Sequence, residues 1–506
     1  MNQLPLWGGS TARRSSIKLL SKSRVTAGLQ CPKRLYLECY ESEKRDPIDP
    51  GRQALFDAGR QVGEVARGRF PGGVRMEEDP LLHDKASRDT AAAMANPATR
   101  AVYEAAFTFG DIRVRVDILA RDGSAWDLIE VKSSTGFKEE YLADIAVQAH
   151  VVRGSGVALN RACLLHVNNQ YTWRGGPYDL DSLFAIQDLT EAAWAAVPSL
   201  LEKIEEMREP LWATEPPPVP VGPHCEKPYR CPFFDHCHAD GPEHPITDLP
   251  RLTPKLYRTF AEASIEEIGE IPEDFDGLSE LQRRVRDCVV RGEPFTHPAL
   301  VPALQAIRHP IHFLDFETCN PALPIIPGTR PFQQMPFQYS DHVLEEDGTL
   351  HHRGYLHPDR SDPRPRLAEE LIEAIDGEGS IVVYSGFEAR VIRSLAEAIP
   401  KLHDRLLPLV EHRMVDLHHL IHEHYYHPKF RGSFSIKGVL PVLVEGLDYR
   451  DLTIKEGSQA AGAFMDMTNP ATPAAKRDAL REGLLAYCHR DTEAMVRLFQ
   501  TLKEVT

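Results

Sequence analysis

Val114-Arg115-Val116-Asp117-Ile118-Leu119, a turn at Asp122-Gly123, and Trp126-Asp127-Leu128-Ile129-Glu130-Val131-Lys132 read as the two strands of one hairpin. Side chains alternate across a strand, so Val114, Val116 and Ile118 face one way and Arg113, Arg115 and Asp117 the other. In the second run the same period puts Glu130 and Lys132 on one face and Asp127 on the opposite one. A hairpin brings Asp117 beside Glu130. Two carboxylates and a lysine together can hold a divalent cation, polarise a phosphate and activate water.

Working outward, Glu139 to Val152 has helical periodicity, with Tyr141, Asp144 or Ile145, Gln148 and Val151 or Val152 on one side. Upstream, Gly59-Arg-Gln-Val-Gly63-Glu64-Val-Ala reads as a helix carrying an acidic residue. Strand-type runs alternate with helical patterns from about residue 21 to 207, the mark of an α/β domain. Cysteines bracket this region: Cys31 near its start, and Cys225, Cys231 and Cys237 in a tight run after the stiff segment Glu215-Pro-Pro-Pro-Val-Pro220. Three closely spaced thiolates can share one metal or cluster, with Cys31 the natural fourth. Four cysteines suit zinc as well as an iron–sulfur cluster. Cys39, Cys163, Cys288 and Cys319 read as buried thiols.

A second constellation begins at His312-Phe-Leu-Asp315-Phe-Glu317-Thr318, an apolar strand interrupted by two carboxylates on one face. Such a pair is costly to bury unless a cation joins them. Downstream, Leu484, Tyr487, Cys488, Asp491 and Met495 follow helical spacing, placing Tyr487 and Asp491 one turn apart and facing inward. Between them, Ile381-Val-Val-Tyr-Ser385-Gly-Phe-Glu388 offers Glu388 as a further ligand. Its competing reading is a capping box, Ser385 to Glu388, opening a helix. Asp416 is an alternative carboxylate, read rather as a turn or strand-end residue. Lys437 sits in a loop where it could meet phosphate, and the histidines from His418 to His427 read as a helix surface without ligand geometry.

The bulk numbers bound the class. The 506 residues suffice for two or three domains, with 42% hydrophobic and 26% charged residues and nine cysteines. The start, Met1-Asn2-Gln3-Leu4-Pro5, lacks the order of a signal peptide, and no apolar run suits a bilayer span, so a reducing cytoplasm and no membrane are expected. A net charge of −16 argues against a protein that coats DNA non-specifically, but not against a nuclease whose carboxylates gather around metal ions. No ATP-binding loop of the Gly-x4-Gly-Lys-Ser/Thr type occurs, so any unwinding would come from a separate helicase.

Asp117…Glu130-x-Lys132…Gln148 resembles the PD-(D/E)XK signature of RecB-like nucleases. The cysteine bracket resembles that family's iron–sulfur subset, although the run here is Cys-x5-Cys-x5-Cys. The resemblance implies Asp117 and Glu130 as Mg²⁺ or Mn²⁺ ligands, Lys132 as the water- or phosphate-polarising base, and Gln148 as a supporting residue; Glu64 is a further candidate ligand, standing roughly where many relatives place a histidine. It also implies a [4Fe–4S] cluster on Cys31, Cys225, Cys231 and Cys237. Asp-x-Glu-Thr plus Tyr-x3-Asp resembles the tyrosine variant of DEDD exonucleases. That resemblance implies a ribonuclease-H-like fold, Asp315, Glu317, Glu388 and Asp491 as Mg²⁺ or Mn²⁺ ligands, and Tyr487 beside the attacking water. From residue 21 onward the chain also resembles a bacterial group carrying the "domain of unknown function 2779".

The expectation is an α/β chain. A mobile lead (1–20) precedes a restriction-endonuclease-like domain (21–245), a helical connector (246–305) and a ribonuclease-H-like exonuclease domain (306–506). Its expected activity is metal-dependent cleavage of DNA ends or single strands in repair, recombination or defence, beside a helicase or other partner. The alternatives are RNA trimming and a nucleic-acid-binding protein with reduced catalysis.

Overall fold

The computed structural model describes residues 19–375 and 377–504. Seven strands form the first sheet: β1 (Leu20–Ser21), β2 (Gly73–Arg75), β3 (Ala101–Phe109), β4 (Ile112–Asp122), β5 (Ala125–Lys132), β6 (Leu159–Val167) and β7 (Phe184–Asp188). Their order is β2-β3-β4-β5-β6-β7, with β1 parallel to the start of β4. The lead expected at 1–20 lies outside the described residues as far as residue 18. Its last residue corrects the expectation: Leu20 is fully buried and pairs with Ile112.

β3, β4 and β5 form an antiparallel meander. The β4–β5 turn places Asp122 opposite Ala125, with Gly123 at a φ of +59° that suits glycine. β5 is buried on both faces over Trp126–Glu130, so its two carboxylates sit inside the domain. Helices α1 (Lys22–Gln30), α2 (Pro32–Tyr40), α3 (Pro50–Arg67), α4 (Glu139–Gly154) and α5 (Thr190–Glu206) surround the sheet. α4 is the crossover that sets β6 parallel to β5. Ile145, Ala146, Val147, Ala149, Val151 and Val152 of α4 are all buried, because α5 covers the side that the sheet does not.

The second sheet has five strands: β8 (Ile311–Cys319), β9 (Met335–Leu344), β10 (Leu350–Leu356), β11 (Ser380–Val383) and β12 (Met414–Asp416). The order is β10-β9-β8-β11-β12, with β9 antiparallel to both β8 and β10, and β8, β11 and β12 mutually parallel. Alternation along β8 sends Phe313 into one core cluster and Leu314 and Phe316 into another. The first face is covered by α8 (Gly457–Met467) and α9 (Ala474–Glu504), where Phe313 meets Phe499 and Phe337 stacks on Phe464 at 4.1 Å. The other face is covered by α6 (Arg364–Ala374) and α7 (Phe387–Ala398). Asp315 and Glu317 share parity with Phe313, and therefore point toward α9.

Segment 246–305 carries the helices Pro254–Glu262, Glu280–Arg291 and Leu300–Gln305. It has no core of its own: Phe260, Val285 and Leu300 join the cluster that holds Phe313 and Phe499. The two sheets also touch through loops. Trp173 exchanges backbone hydrogen bonds with Thr329 (3.0 Å) and Gly328 (2.7 Å), and Ala322 packs in the cluster of Val62 and Ile118. The molecule is thus a mixed α/β protein with two mixed sheets. No helix among the described residues is long and apolar enough to cross a membrane.

Gly379, at φ +102° just before β11, places its α-carbon where an added Cβ would lie 2.1 Å from the Pro310 carbonyl oxygen. Gly379→Ala is therefore predicted to cost more than about 1 kcal/mol of stability. Gly348→Ala, with a similar φ of +86° in open space, carries only the conformational part. Denaturant melts of the two variants should separate in that order.

Candidate functional site

The hairpin register that pairs Ile118 with Ile129 sets Asp117 opposite Glu130. Asp117 Oδ2 accepts a hydrogen bond from the Val131 backbone N–H at 2.7 Å. Burial, followed by the neighbouring Glu130 charge, raises the Asp117 carboxyl to about 7. Glu130, 2% exposed, accepts from Lys22 Nζ (3.0 Å), Lys132 Nζ (2.8 Å) and Gln148 Nε2 (2.7 Å). Burial alone would raise its carboxyl, but the two ammonium groups and the amide outweigh it and hold Glu130 well below the ordinary carboxylate range.

Lys132 also reaches Asp144 Oδ2 at 2.7 Å, and Thr26 Oγ1 donates to the other Asp144 oxygen at 3.1 Å. Burial pulls the Lys132 ammonium down, yet Glu130 and Asp144 together keep it above the ordinary lysine range. Lys132 thus stands as a cation beside Glu130 and Asp144, where it can polarise a phosphate or water.

Gln148 is fully buried, donates to Glu130, and keeps its Oε1 without a hydrogen-bond partner. Glu64 departs from expectation. It lies on the half-exposed face of α3, ion-paired with Arg67 at 2.9 Å and Arg75 at 3.0 Å, while Val62 and Ala66 take the buried face. The acidic residue facing Asp117 is instead Glu104. The β3–β4 register brings Glu104 opposite Asp117, at a φ of +56°, and Arg67 pairs with it at 2.9 Å.

The four bracket cysteines meet. Cys31, Cys225, Cys231 and Cys237 line one small cavity with Leu37 and Phe233. Burial raises the thiols of Cys225 and Cys237, and raises Cys231 to about 11; in each case nearby cysteines of the set add to the effect. Gln30, the residue before Cys31, donates to the backbone carbonyls of His224, Lys227 and Tyr229, tying the end of α1 to the late loop. A tetrahedral zinc with bonds of about 2.3 Å would draw four sulfurs to roughly 4 Å from one another. Four thiols on one cavity suit either such a zinc ion or an iron–sulfur cluster.

In the second module Asp315, Glu317 and Asp491 line one cleft of about 370 Å³, whose walls include Tyr384, Phe387, Lys437 and Tyr487, and Glu388 lies beside Asp315. Glu317, Glu388 and Asp491 are 5%, 3% and 8% exposed. Burial and mutual repulsion push Asp315 and Glu317 well above the ordinary carboxylate range. Burial, with Asp416 nearby, raises Glu388 to about 8. Burial also raises Asp491 to about 6, partly offset by Tyr449, whose hydroxyl donates to Asp491 Oδ1 at 2.5 Å. Glu388 Oε2 is buried without a hydrogen-bond partner, as an unshared cation ligand would be.

The capping-box alternative does not form. Ser385 Oγ accepts from the Phe387 N–H, and the helix Phe387–Ala398 starts from Gly386 without a side-chain cap. Asp416 ends β12 and caps the helix Leu417–His424, its Oδ1 accepting from Ser385 N (3.0 Å) and His419 N (3.1 Å). Lys437 Nζ lies 3.4 Å from the Tyr487 hydroxyl, and burial keeps that hydroxyl protonated far above neutrality. Cys488 Sγ lies 3.7 Å from Asp315 Oδ2. Sequence reasoning missed Lys22, Glu104 and Tyr449 in these two clusters. Of the three, only Glu104 carried a local signal, as the one acid in an otherwise apolar strand.

Residues 312–435 match the family model described as a domain of unknown function (DUF2779). That segment runs from β8 through β12 and contains Asp315, Glu317 and Glu388, but neither Tyr487 nor Asp491. No curated protein matches the chain.

Glu388 gives a test by pH. Its folded value of about 8 lies above the unfolded value of about 4.3, so the folded state binds the extra proton between them. Stability from this group is present in full below about pH 4 and is lost as pH rises through 8. In EDTA, Glu388→Gln should therefore gain stability relative to the parent chain as pH rises from 5 to 9. Thermal melts across that range check the crossing slopes.

Proposed function

We propose that this chain is a metal-dependent phosphodiester hydrolase with two catalytic modules acting on nucleic-acid ends or single strands. The observation that carries the reading is the clustering of Asp315, Glu317, Glu388 and Asp491, whose mutual repulsion bound multivalent cations would relieve. These four residues would hold Mg²⁺ or Mn²⁺, which when bound supply an activated water and stabilise charge on the departing oxygen. Tyr487, one helical turn from Asp491 on the wall of the cleft, would orient or deprotonate the attacking water. Lys437, beside Tyr487, faces the phosphate. Tyr384 and Phe387 offer flat faces on which a terminal base can stack.

The strand order supports a ribonuclease-H-like assignment for the second module: three antiparallel strands in sequence, then two parallel strands on the other side of the first. In the first module, the β3-β4-β5 meander followed by α4 and a parallel β6 supports the restriction-endonuclease-like assignment. There Asp117 and Glu130 would hold the cation, with Lys132 polarising the phosphate and Gln148 fixing Glu130. Cys31, Cys225, Cys231 and Cys237 would hold a [4Fe–4S] cluster whose work is to join the two ends of that module. We assign DNA as the substrate, in a cytoplasmic setting and beside a separate unwinding protein.

Purified protein with Mn²⁺ or Mg²⁺ should shorten end-labelled single-stranded DNA. Asp315→Ala and Asp117→Ala should each reduce cleavage by their own module by more than the roughly 10–100-fold that losing an outer partner of a metal site costs. Intact DNA and RNA in every lane would sink the enzyme reading and leave a binding protein, whereas cleavage of RNA alone would reassign the substrate. Anaerobic purification should yield a brown protein, with the visible absorption lost in Cys31→Ala. A colourless protein carrying one zinc would refute the cluster.

A further inference from the structure

His342 on β9, His352 on β10 and His489 on α9 are distant in sequence and adjacent in space. Their ring centroids lie 4.6 Å (342–352), 4.5 Å (342–489) and 4.4 Å (352–489) apart. One ring nitrogen from each lies within 4.8 Å of the other two. Two of the rings are oriented from behind. His342 Nδ1 is hydrogen-bonded to Thr492 Oγ1 at 2.8 Å, and His352 Nε2 to Ser340 Oγ at 2.9 Å. The two hydroxyls bond each other at 2.8 Å. His489 Nδ1 looks outward to Glu493 Oε2 at 4.0 Å. Each imidazole thus has one nitrogen turned to an outer partner and its second nitrogen left over, the arrangement that fixes ring orientation around a bound metal.

We propose that His342, His352 and His489 form a binding site for one zinc-class transition-metal ion, separate from the carboxylate quartet, that clamps α9 to β9 and β10. Imidazole nitrogens suit zinc, copper and nickel, whereas the oxygen-only quartet suits magnesium and manganese. Three histidines leave a fourth position open. His352 is exposed and His489 half-exposed, so an ion reaches the centre from solvent. Burial, and then the neighbouring imidazoles, hold His342 at about 3 and His352 at about 4, so both present lone pairs at neutral pH. Ser340 lies opposite Asp315 across the β8–β9 pair, and Thr492 follows Asp491. An ion here therefore braces, from outside the cleft, the helix that carries Tyr487 and Asp491.

The test is calorimetric titration of the full-length, cluster-loaded protein with Zn²⁺ in excess Mg²⁺, with thermal melts alongside. The parent chain and Asp315→Ala should both take up one equivalent and melt higher with zinc. His352→Ala, on a solvent-facing strand position, and His489→Gln should each weaken that event by more than about 100-fold while melting like the parent in EDTA. Zinc uptake unchanged in both histidine variants, or lost in Asp315→Ala but not in them, overturns the proposal. So does a parent chain that takes up no zinc.

Discussion

Four carboxylates gathered at one cleft impose the constraint on which the second module depends. Asp315 and Glu317 come from a strand covered on both faces, Glu388 from the first turn of a helix behind it, and Asp491 from α9 in front. Burying such charges without compensation costs far more than a domain's net stability, so they either take up protons or share cations. Apolar packing supplies the force that holds them together. Phe313 on Phe499, Phe337 on Phe464, and the hydrogen bond from Gln338 Nε2 to the Leu484 carbonyl (2.9 Å) pin the covering helices to the sheet. The architecture is arranged so that hydrophobic burial keeps the repelling groups in place.

How much of this is legible in the sequence follows from which contacts are local. Period two along 114–119 and 126–132 reveals the hairpin and the facing of Asp117 and Glu130, because register within a tight hairpin is set by its turn. Period 3.6 likewise reveals Tyr487 and Asp491. Lys22, which satisfies Glu130 from 108 residues away, has no local signature, and neither does Tyr449, 42 residues from Asp491. Glu64 misled because helix α3 does carry an amphipathic pattern, but its acid falls on the arginine-lined face. The dense histidine run at 418–427 drew attention by composition, while the three histidines that converge are spread over 147 residues on three elements, His342 to His489.

The cysteine pocket and the first carboxylate cluster are coupled through a single helix. α1 starts at Lys22, whose ammonium neutralises Glu130; Thr26, one turn on, bonds Asp144; and the helix ends at Gln30 and Cys31. Whatever joins Cys31 to the late cysteines therefore also fixes the position of Lys22. The proline-rich segment and the late loop act as a strap across the far end of α1. The bracket is thus more than a closure of chain ends, because loosening it would withdraw a cation from the cluster.

The two clusters answer the same electrostatic problem in opposite ways. In the first, Lys22 and Lys132 lie within 3.0 Å of Glu130, so its charge is compensated by the protein itself. In the second, Lys437 and the Tyr449 hydroxyl offset only part of four carboxylates, and all four groups shift upward. A divalent cation entering the first cluster competes with Lys22 for the same oxygens, whereas one entering the second meets ligands whose repulsion it relieves. Binding free energy at the second site is augmented by that relief, and at the first it is reduced by the displaced ion pair. Sites built from the same residue types, in one chain, should therefore fill at different metal concentrations, the second before the first.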